Sequence, residues 1–598
     1  MYTCKPMCPR LAWALAIIAA CGTSAAAWGQ EGQTPPAAPP QYAATEQYAP
    51  PGPAPQPGSA LTPEEIRARF EQQQQQIASL QDQLRNAQQP PQMTPAAYPA
   101  QGEAAKKPDD DAKKAVEGYQ VGSDLAFTPK LKDGLFLWFE TPNKDFTMHL
   151  GAWMQWDTVS WNQSAPLRAA PTARPGAAQG VATGVATGGI GDLQDGEYFR
   201  RIRPFAEGVF WETGEYRLIP ALENNQFSTA GLDEFWVGET QIPVVGTVRV
   251  GHVKNAMGLE GDMTASSRCM TFMERSSYSE SIELSQNFVT GVWMSNNYFD
   301  QRMTWSAVVF YPDQKASTGV FFGDGQTGMQ LRLTGLPLYE DEGRHLLHLG
   351  VSGGWRDGTA NAANAYPGNT IQSSARPELR DDDPTGAGAS VIPNANSNRM
   401  VDTGVIASNS EFLTGLEALY IRGPFSLQAE YGWNWINNAK GVVQSPTSTI
   451  SLFASPQDYS FNGGYVQVAY TLTGENRAYD KRGGTLAREY FGKPGPYENA
   501  WIVRDANGHL CWGRGAWEVA ARYSYVDLNS GVGADRIQGG IMDGVTLGLN
   551  WYVNNNLNVN FDWVYDNRYD LPTGVAPGAL STVPGYTSGF GTRVQFQF

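Results

Sequence analysis

The residues FGTRVQFQF, from Phe590 to Phe598, decide the class of fold that this sequence can form. Successive side chains of a β-strand point to opposite faces, so this stretch has one apolar face and one polar face. Arg593, Gln595 and Gln597 lie on the polar face, and the apolar face carries Phe590, Thr592, Val594, Phe596 and Phe598. In a soluble sandwich the apolar face would meet a core, whereas in a membrane barrel it would meet lipid and the polar face would line an aqueous lumen.

The same alternation recurs along the chain. Apolar or aromatic side chains alternate with polar or small ones from Phe146 to Trp161, Trp517 to Tyr525, Val545 to Val553 and Leu557 to Trp563. The short stretch 554–556 joins the last two segments, as expected of a tight hairpin turn. Aromatic residues gather near strand ends, where rings sit at the two interfaces of a membrane barrel. The pattern predicts an all-β chain.

The composition restricts the remaining classes. The chain has 598 residues, of which 17% are charged and 12% aromatic, and its net charge is −16. A transmembrane helix needs an apolar stretch of about 18 residues, and beyond the N-terminal segment no stretch is that long. Membrane helices are therefore excluded. The acidic balance argues against a nucleic-acid partner, which would need a basic face. Two cysteines follow the N-terminal segment, Cys269 and Cys511, and the sequence leaves open whether they form a disulfide.

The N-terminus has the features of a secretory signal. Lys5 and Arg10 precede an apolar run from Leu11 to Ala20, which is too short to span a bilayer. The three alanines at positions 25–27 fit a cleavage site of the A-x-A kind, which assigns residues 1–27 to a signal peptide. Cys21 offers an alternative, because a lipoprotein signal would be cleaved just before it.

Residues 28–130 differ in character from the rest of the chain. Residues 28–60 are rich in Pro, Ala, Gln and Gly and predict a disordered linker, as do residues 90–130. Residues 61–89 predict a helix with Thr62 as its N-cap and Pro63 at its first position. Apolar side chains recur along it at spacings of three and four, at Ile66, Phe70, Ile77, Leu80 and Leu84. They predict a coiled-coil seam that joins several subunits, with a single amphipathic helix as the alternative.

Residues 131–598 are assigned to a transmembrane antiparallel β-barrel. Roughly 470 residues remain there, and a membrane strand with its connections uses about 25 to 30, which predicts about 16 to 18 strands. Both ends of the barrel chain are expected on the periplasmic side. Four stretches rich in Gly, Ala, Asn, Ser and Pro are expected to be external loops: 163–194, 357–410, 437–458 and 475–514.

Several segments resemble the phosphate-selective porin O and P family. They are FRRIRPFAEGVF (Phe199–Phe210), GHVKNAMGLE (Gly251–Glu260), GYVQVAYTLTGENR (Gly464–Arg477), GAWEVAARYSYVDL (Gly515–Leu528) and GGIMDGVTLGLNWYVNNNLNVNFDW (Gly539–Trp563). With the heptad seam, the resemblance spans most of the mature chain. It implies a 16-stranded, homotrimeric porin in the outer membrane of a Gram-negative-type bacterium, surrounded by lipid and passing small anions such as phosphate.

The terminal residues Phe596 and Phe598 also resemble the assembly signal of outer-membrane barrels. The chain departs from the porin family in its long Pro/Ala-rich preface and its expanded loops. It also has few counterparts of the family's lysine-rich external funnel.

The polar strand faces carry the side chains that would line such a pore. Alternation predicts a candidate anion path of eight cations: Arg201, Arg203, Arg217, Arg249, Lys254, Arg332, Arg522 and Arg593. Fewer acids are expected there, namely Glu207, Glu223, Glu430, Glu518 and Asp562. Guanidinium groups stay charged and can contact phosphate with two donors, which suits an anion path. The alternative is that each arginine pairs with a carboxylate, for example Arg201 with Glu207 and Arg522 with Glu518, and merely lines a polar wall.

No catalytic or metal-binding motif accompanies this pattern, so neither an enzyme nor a metal or cofactor is expected. His345 and His348 are three residues apart on a predicted strand and would therefore lie on opposite faces. The rival class is a secreted or surface Trp-rich β protein that binds polysaccharide through exposed aromatics. Such a protein would bury its apolar strand faces in a core.

Overall fold

A computed structural model describes most of the chain beyond residue 120. The described residues are 121–132, 136–168, 189–222, 230–263, 269–283, 288–312, 326–360, 368–380, 399–444, 450–452, 454–483, 485–486, 493–504, 508–569 and 583–598. The predicted signal peptide and the predicted seam residues Ile66, Phe70, Ile77, Leu80 and Leu84 lie outside them.

Sixteen antiparallel strands form a closed barrel. They are β1 (Thr147–Gln163), β2 (Gly196–Phe210), β3 (Gly214–Leu222), β4 (Ala230–Ile242), β5 (Gly246–Lys254), β6 (Phe288–Tyr298), β7 (Met303–Tyr311), β8 (Gly328–Glu340), β9 (His345–Asp357), β10 (Ser410–Arg422), β11 (Phe425–Gln444), β12 (Gln457–Thr471), β13 (Ala516–Ser530), β14 (Ile537–Tyr552), β15 (Leu557–Tyr569) and β16 (Gly585–Gln597). Each pairs with the next, and β16 pairs with β1 from Thr587 opposite Gln163 to Gln597 opposite Trp153. Closure pairs the backbone groups around the ring, as a membrane requires. The predicted barrel of about 16 strands is confirmed.

The two faces of the strands follow the predicted alternation. On β16, Phe590 is 49% exposed on the outside, whereas Arg593 is 2% exposed and points into the lumen. The outer faces of β13 and β14 likewise carry exposed apolar side chains such as Val519, Tyr523 and Leu547. Apolar side chains therefore point outward and polar ones inward, which is the pattern of a membrane barrel. The rival reading, a sandwich with its apolar faces in a core, is wrong.

The two ends of the barrel differ in their connections. Short turns join strands at one end, at residues 211–213, 243–245, 299–302, 341–344, 423–424 and 553–556. Phe598 lies at this end, where its backbone N–H donates to the Ala152 carbonyl at 3.0 Å. Short turns mark the periplasmic end of such barrels, so the longer connections 164–195, 255–287 and 358–409 lie at the external end.

One predicted external loop is at the wrong end. The connection between β12 and β13, residues 472–515, leaves from the end that carries the short turns. Residues 475–514 are therefore on the periplasmic side, because strand direction alternates along the chain and loop composition does not report it. The predicted loop 437–458 is also shorter than expected, since β11 continues to Gln444.

Shorter elements surround the ring. A hairpin, Thr128–Lys132 and Phe136–Glu140, precedes it and pairs with the start of β1, with Leu137 opposite Leu150. Short strands are Thr359–Ala360, Asn369–Ile371, Ser374–Ala375, Val401–Asp402, Ile406–Ala407, Ile450–Leu452, Tyr479–Asp480, Thr485–Leu486, Trp501–Arg504 and Leu510–Gly513. Helical turns are Ala165–Arg168, Gly258–Met263, Ser279–Glu283, Asp341–Gly343 and Gly533–Asp535. Within the described ranges, no helix is long and apolar enough to cross a membrane.

The two cysteines of the barrel domain are not bonded to each other. Neither Cys269 nor Cys511 forms a disulfide within the described part of the chain, and both are buried. The question that the sequence left open is thereby answered for the folded barrel.

Candidate functional site: a charged lumen with inward-folded segments

The connection between β5 and β6, residues 255–287, folds into the barrel. The backbone N–H of Glu260 donates to Glu430 Oε2 on β11 at 3.0 Å. The backbone N–H of Met273 donates to Asp562 Oδ2 on β15 at 2.6 Å. In a ring of sixteen, β5 lies opposite β13, so a loop that leaves β5 and reaches β11 and β15 crosses the lumen. This constriction loop, as we call residues 255–287, narrows the passage.

Carboxylates hold the constriction loop in shape. Glu260 Oε2 accepts hydrogen bonds from the Ser276 hydroxyl at 2.6 Å and the Ser279 hydroxyl at 2.8 Å. Gly258 has φ +67°, and a Cβ there would lie only 1.3 Å from Glu283 Oε1, so this position requires glycine. Burial, followed by the nearby charge of Glu430, raises the pKa of Glu283 well above its usual range.

A second segment, residues 368–380, also folds inward and meets the constriction loop. Glu378 accepts from Arg522 Nη2 at 2.7 Å, from the Ser277 backbone N–H at 2.7 Å and from the Thr546 hydroxyl at 2.9 Å. Arg522 Nη1 in turn donates to the Glu274 carbonyl at 3.1 Å. One wall arginine on β13 thus joins both inward segments.

Glu274 of the constriction loop gathers four guanidinium groups. Its carboxylate oxygens lie 2.8 Å from Arg200, 3.0 Å from Arg593, 3.8 Å from Arg380 and 3.9 Å from Arg201. Burial would raise the pKa of Glu274, but these four cations together hold it well below its usual range. The carboxylate therefore stays ionised and ties the loop to the arginines of β2 and β16.

The other predicted wall arginines are paired with carboxylates. The shortest nitrogen-to-oxygen distances are 2.7 Å for Arg203 with Asp233, 2.7 Å for Arg217 with Glu207, 2.7 Å for Arg249 with Glu215 and 2.6 Å for Arg332 with Glu417. Arg249 also lies between two indole rings, 4.2 Å from the centre of Trp236 and 4.7 Å from that of Trp293. Pairing and stacking orient these groups and reduce their net field in the pore.

Two predicted cations have fewer carboxylate partners among the described residues. Arg201 Nη1 donates to the neutral amide oxygen of Gln155 at 3.0 Å, and its nearest described carboxylate is the one of Glu274 at 3.9 Å. The Lys254 ammonium lies 5.1 Å from the centre of the Phe288 ring, and among the described residues no carboxylate oxygen comes within 4.0 Å of it. Both side chains are buried, and the charge of Arg275 in the constriction loop lies near the Lys254 ammonium.

A third segment enters the lumen from the periplasmic end. In the connection 472–515, Arg477 Nη2 donates to Glu518 at 2.6 Å and Lys493 Nζ donates to Asn558 Oδ1 at 2.8 Å. The Tyr479 hydroxyl lies 2.7 Å from His348 Nδ1 on β9. Both ends of the passage therefore carry segments that narrow it.

The two ion pairs given as examples of the polar-wall alternative are not formed. Glu207 pairs with Arg217 rather than with Arg201, and Glu518 pairs with Arg477 rather than with Arg522. Arg522 instead binds Glu378, which the inward-folded segment 368–380 supplies. Alternation along one strand assigns a face, but it cannot supply partners that come from distant loops.

Sequence reasoning also missed Arg200. The pairing of β1 with β2 shifts between Gln155 and Trp156, where Phe199 and Arg201 face consecutive residues and Arg200 is left over. This β-bulge turns Arg200 inward beside Arg201, although neighbouring residues of a regular strand lie on opposite faces. The run of two arginines in FRRIR is the signal that could have indicated a bulge. Glu274 and Glu417 were missed as well.

A family model described as "Phosphate-selective porin O and P" matches residues 181–598. This chain belongs to that family. It is 27% identical over 389 residues to Porin O of Pseudomonas aeruginosa, covering 62% of this chain and 77% of that protein. It is 26% identical over 362 residues to an uncharacterised protein of Caulobacter vibrioides, covering 60% of each.

Solved barrels resemble it only distantly. The trimer form of OmpT from Vibrio cholerae covers 76% of this chain and 99% of its own, at 10% identity and a TM-score of 0.38. A likeness at that level adds nothing to the assignment. Family membership and the closed barrel together make the protein a porin, a channel in the outer membrane.

Proposed function

We propose that this porin passes small anions and favours phosphate-like oxyanions over chloride. The observation that carries the proposal is the pair of incompletely neutralised cations, Arg201 and Lys254, beside the constriction loop. In a narrow passage with little water, a fixed positive charge raises the local concentration of anions and repels cations. The description of the family, which names phosphate, supports the choice of solute.

The chemistry of the two cations suits an oxyanion. The guanidinium of Arg201 is oriented by Gln155 and presents parallel donors, whereas the ammonium of Lys254 acts as a point charge. Phosphate can accept from both kinds of donor at once, and chloride gains less from oriented donors. The paired arginines Arg203, Arg217, Arg249, Arg332, Arg522 and Arg593 shape the wall around this path.

We also propose the assembly that the sequence predicts. Residues 1–27 direct export, residues 28–60 and 90–130 are linkers, and the helix 61–89 joins three subunits in the periplasm. The terminal residues Phe596 and Phe598 serve as the signal for barrel assembly. Outward-facing rings at this end, 5.8 Å apart between centres, are consistent with that role.

Block of chloride current by phosphate tests the solute. The purified porin is inserted in a planar bilayer with KCl on both sides, and inorganic phosphate is added at constant ionic strength. We expect phosphate to lower the chloride conductance of the wild type, and Arg201→Gln and Lys254→Gln to weaken this block several-fold. Arg302→Gln is the matched control, because Arg302 lies at an exposed periplasmic turn. Phosphate should lower its chloride conductance as much as that of the wild type. Absence of block, or equal block in all four proteins, would contradict the proposal.

A further inference from the structure

The periplasmic connection 472–515 contains a two-stranded hairpin with an uncovered apolar face. Its strands are Trp501–Arg504 and Leu510–Gly513, and Ile502 is opposite Trp512 while Val503 is opposite Cys511. Residues opposite each other on paired strands share a face, so the hairpin has two distinct faces.

One face packs against the protein and the other does not. Cys511 is buried and Val503 is half-buried on the inner face. On the other face Ile502 is 60% exposed and Leu510 is 51% exposed, with the exposed Trp512 between them. Three large apolar side chains on one small hairpin form a patch that water would hydrate unfavourably.

The hairpin is fixed to the barrel at its base. The Ala500 backbone N–H donates to the Val553 carbonyl at 2.7 Å, in the turn between β14 and β15. The Trp501 ring meets the Trp551 ring edge-on, with 5.8 Å between centres. Gly515 has φ +68°, and a Cβ there would lie 2.4 Å from the Tyr552 carbonyl oxygen, so glycine lets the chain turn back into β13 at this point.

The hairpin lies against the lipid-facing surface of the barrel, with Trp501 on its packed face and the apolar face turned away from the strands. Trp551 stacks on Trp517 at 5.2 Å, and both lie on the outward face of β13 and β14. The exposed side chains of Val519 and Leu547 follow on that same face toward the membrane centre. Tryptophans at the end of such a band mark the membrane interface, and the hairpin extends the apolar surface beyond them.

We infer that this hairpin is a membrane anchor that lies in the periplasmic leaflet of the outer membrane. Ile502, Leu510 and Trp512 contact phospholipid acyl chains at the interface. Arg504 lies on the same face as Leu510, where its guanidinium meets lipid phosphates. The occupant is lipid rather than a second subunit because the hairpin packs, through Trp501, on the outward Trp551 at the end of the lipid-facing band, so that its apolar face points away from the barrel at the level of the interface. Anchoring here holds the periplasmic connection in place while its other parts enter the lumen.

Collision accessibility of a spin label tests the location of the hairpin. Cys269 and Cys511 are replaced by alanine, and a nitroxide is attached to Ile502→Cys or, as a second position, Leu510→Cys. The porin is reconstituted in vesicles of phosphatidylethanolamine and phosphatidylglycerol. Val519→Cys serves as the lipid-facing control, and Val244→Cys, at a short turn of the same end and 82% exposed, serves as the aqueous control.

We expect both hairpin labels to collide with oxygen more often than with a water-soluble nickel complex, by a ratio several-fold above that of Val244→Cys and close to that of Val519→Cys. A ratio equal to that of Val244→Cys would place the hairpin in water and overturn the inference. Protection from both reagents would overturn it as well, because it would place the face against another subunit. Heat-modifiable gel mobility identifies the folded samples to be compared.

Discussion

Arg593 on the last strand of the barrel forms a two-pronged ion pair with Asp157 on the first. Nε lies 2.7 Å from Oδ1 and Nη2 lies 2.6 Å from Oδ2, and both side chains are buried. Nη2 also lies 3.0 Å from Glu274 of the constriction loop. The Arg593 guanidinium therefore links the strand pair that closes the barrel, β16 with β1, to the constriction loop.

Replacing Asp157 by Asn is expected to destabilise the barrel by about 3 kcal/mol. The change leaves a buried guanidinium with one charged partner fewer, and removing one member of a buried pair typically costs about 3 to 5 kcal/mol. Urea unfolding of the porin in vesicles measures the loss. Glu215→Gln, which breaks the more exposed pair with Arg249, is the control and should cost roughly 1 kcal/mol. Equal losses of stability in the two variants would contradict a special role for the Arg593–Asp157 pair where β16 meets β1.

Replacing Phe598 by Ser is expected to reduce assembly several-fold. The ring of Phe598 lies on the lipid-facing side of the barrel. The sequence predicts that this residue belongs to the signal for barrel assembly. The amount of heat-modifiable porin in the outer-membrane fraction measures the effect. Tyr586→Ser removes a ring of nearly the same exposure from the other end of β16 and should assemble normally. The signal would be refuted if both variants assembled equally well.

The Glu283→Gln variant is expected to become more stable than the wild type as the pH rises. Burial and then the charge of Glu430 raise the pKa of Glu283, so the folded protein keeps a proton that the unfolded chain releases above about pH 4.3. The stabilisation from this proton is therefore fully present below the pKa of Glu283 in the unfolded chain. It is lost as the pH rises through the pKa of Glu283 in the folded protein. Glutamine removes this loss.

Urea midpoints at about pH 5 and about pH 8 check the pH dependence. The gap between Glu283→Gln and the wild type should widen with pH. Glu342→Gln, at an exposed turn, is the control and should follow the wild type at both values. Parallel behaviour of all three proteins would show that no such proton is held.

Replacing Ile77 and Leu80 by Asp is expected to weaken subunit association. Both side chains belong to the predicted heptad seam, and carboxylates there would be desolvated in a coiled coil. Chemical cross-linking should give fewer trimers than in the wild type. Gln75→Asp with Ser79→Asp adds the same charges outside the seam and serves as the control. An unchanged cross-linking pattern in the seam variant would show that the helix is dispensable.

Much of the barrel could be predicted from the sequence because one physical rule acts on every strand. Lipid selects apolar side chains on alternate positions, so the faces of Phe590 and Arg593 follow from their parity alone. Length then gives the number of strands.

The partners within the lumen could not be predicted in the same way. Glu274 and Glu378 reach the wall arginines from segments that fold inward, and nothing local to Arg522 or Arg593 indicates them. The bulge that turns Arg200 inward breaks the parity on which face assignment rests. Loop composition likewise failed to place the connection 472–515, because it depends on strand direction rather than on local sequence.

The reversal potential under a KCl gradient tests the central claim, that the channel prefers anions. Purified porin in a planar bilayer separates solutions that differ about tenfold in KCl, and the zero-current voltage is read from current–voltage curves. The account predicts a sign that reports chloride permeating more readily than potassium, and a shift toward zero when Arg201 and Lys254 become Gln. A potassium preference in the wild type, or an unchanged potential in the double variant, would contradict it.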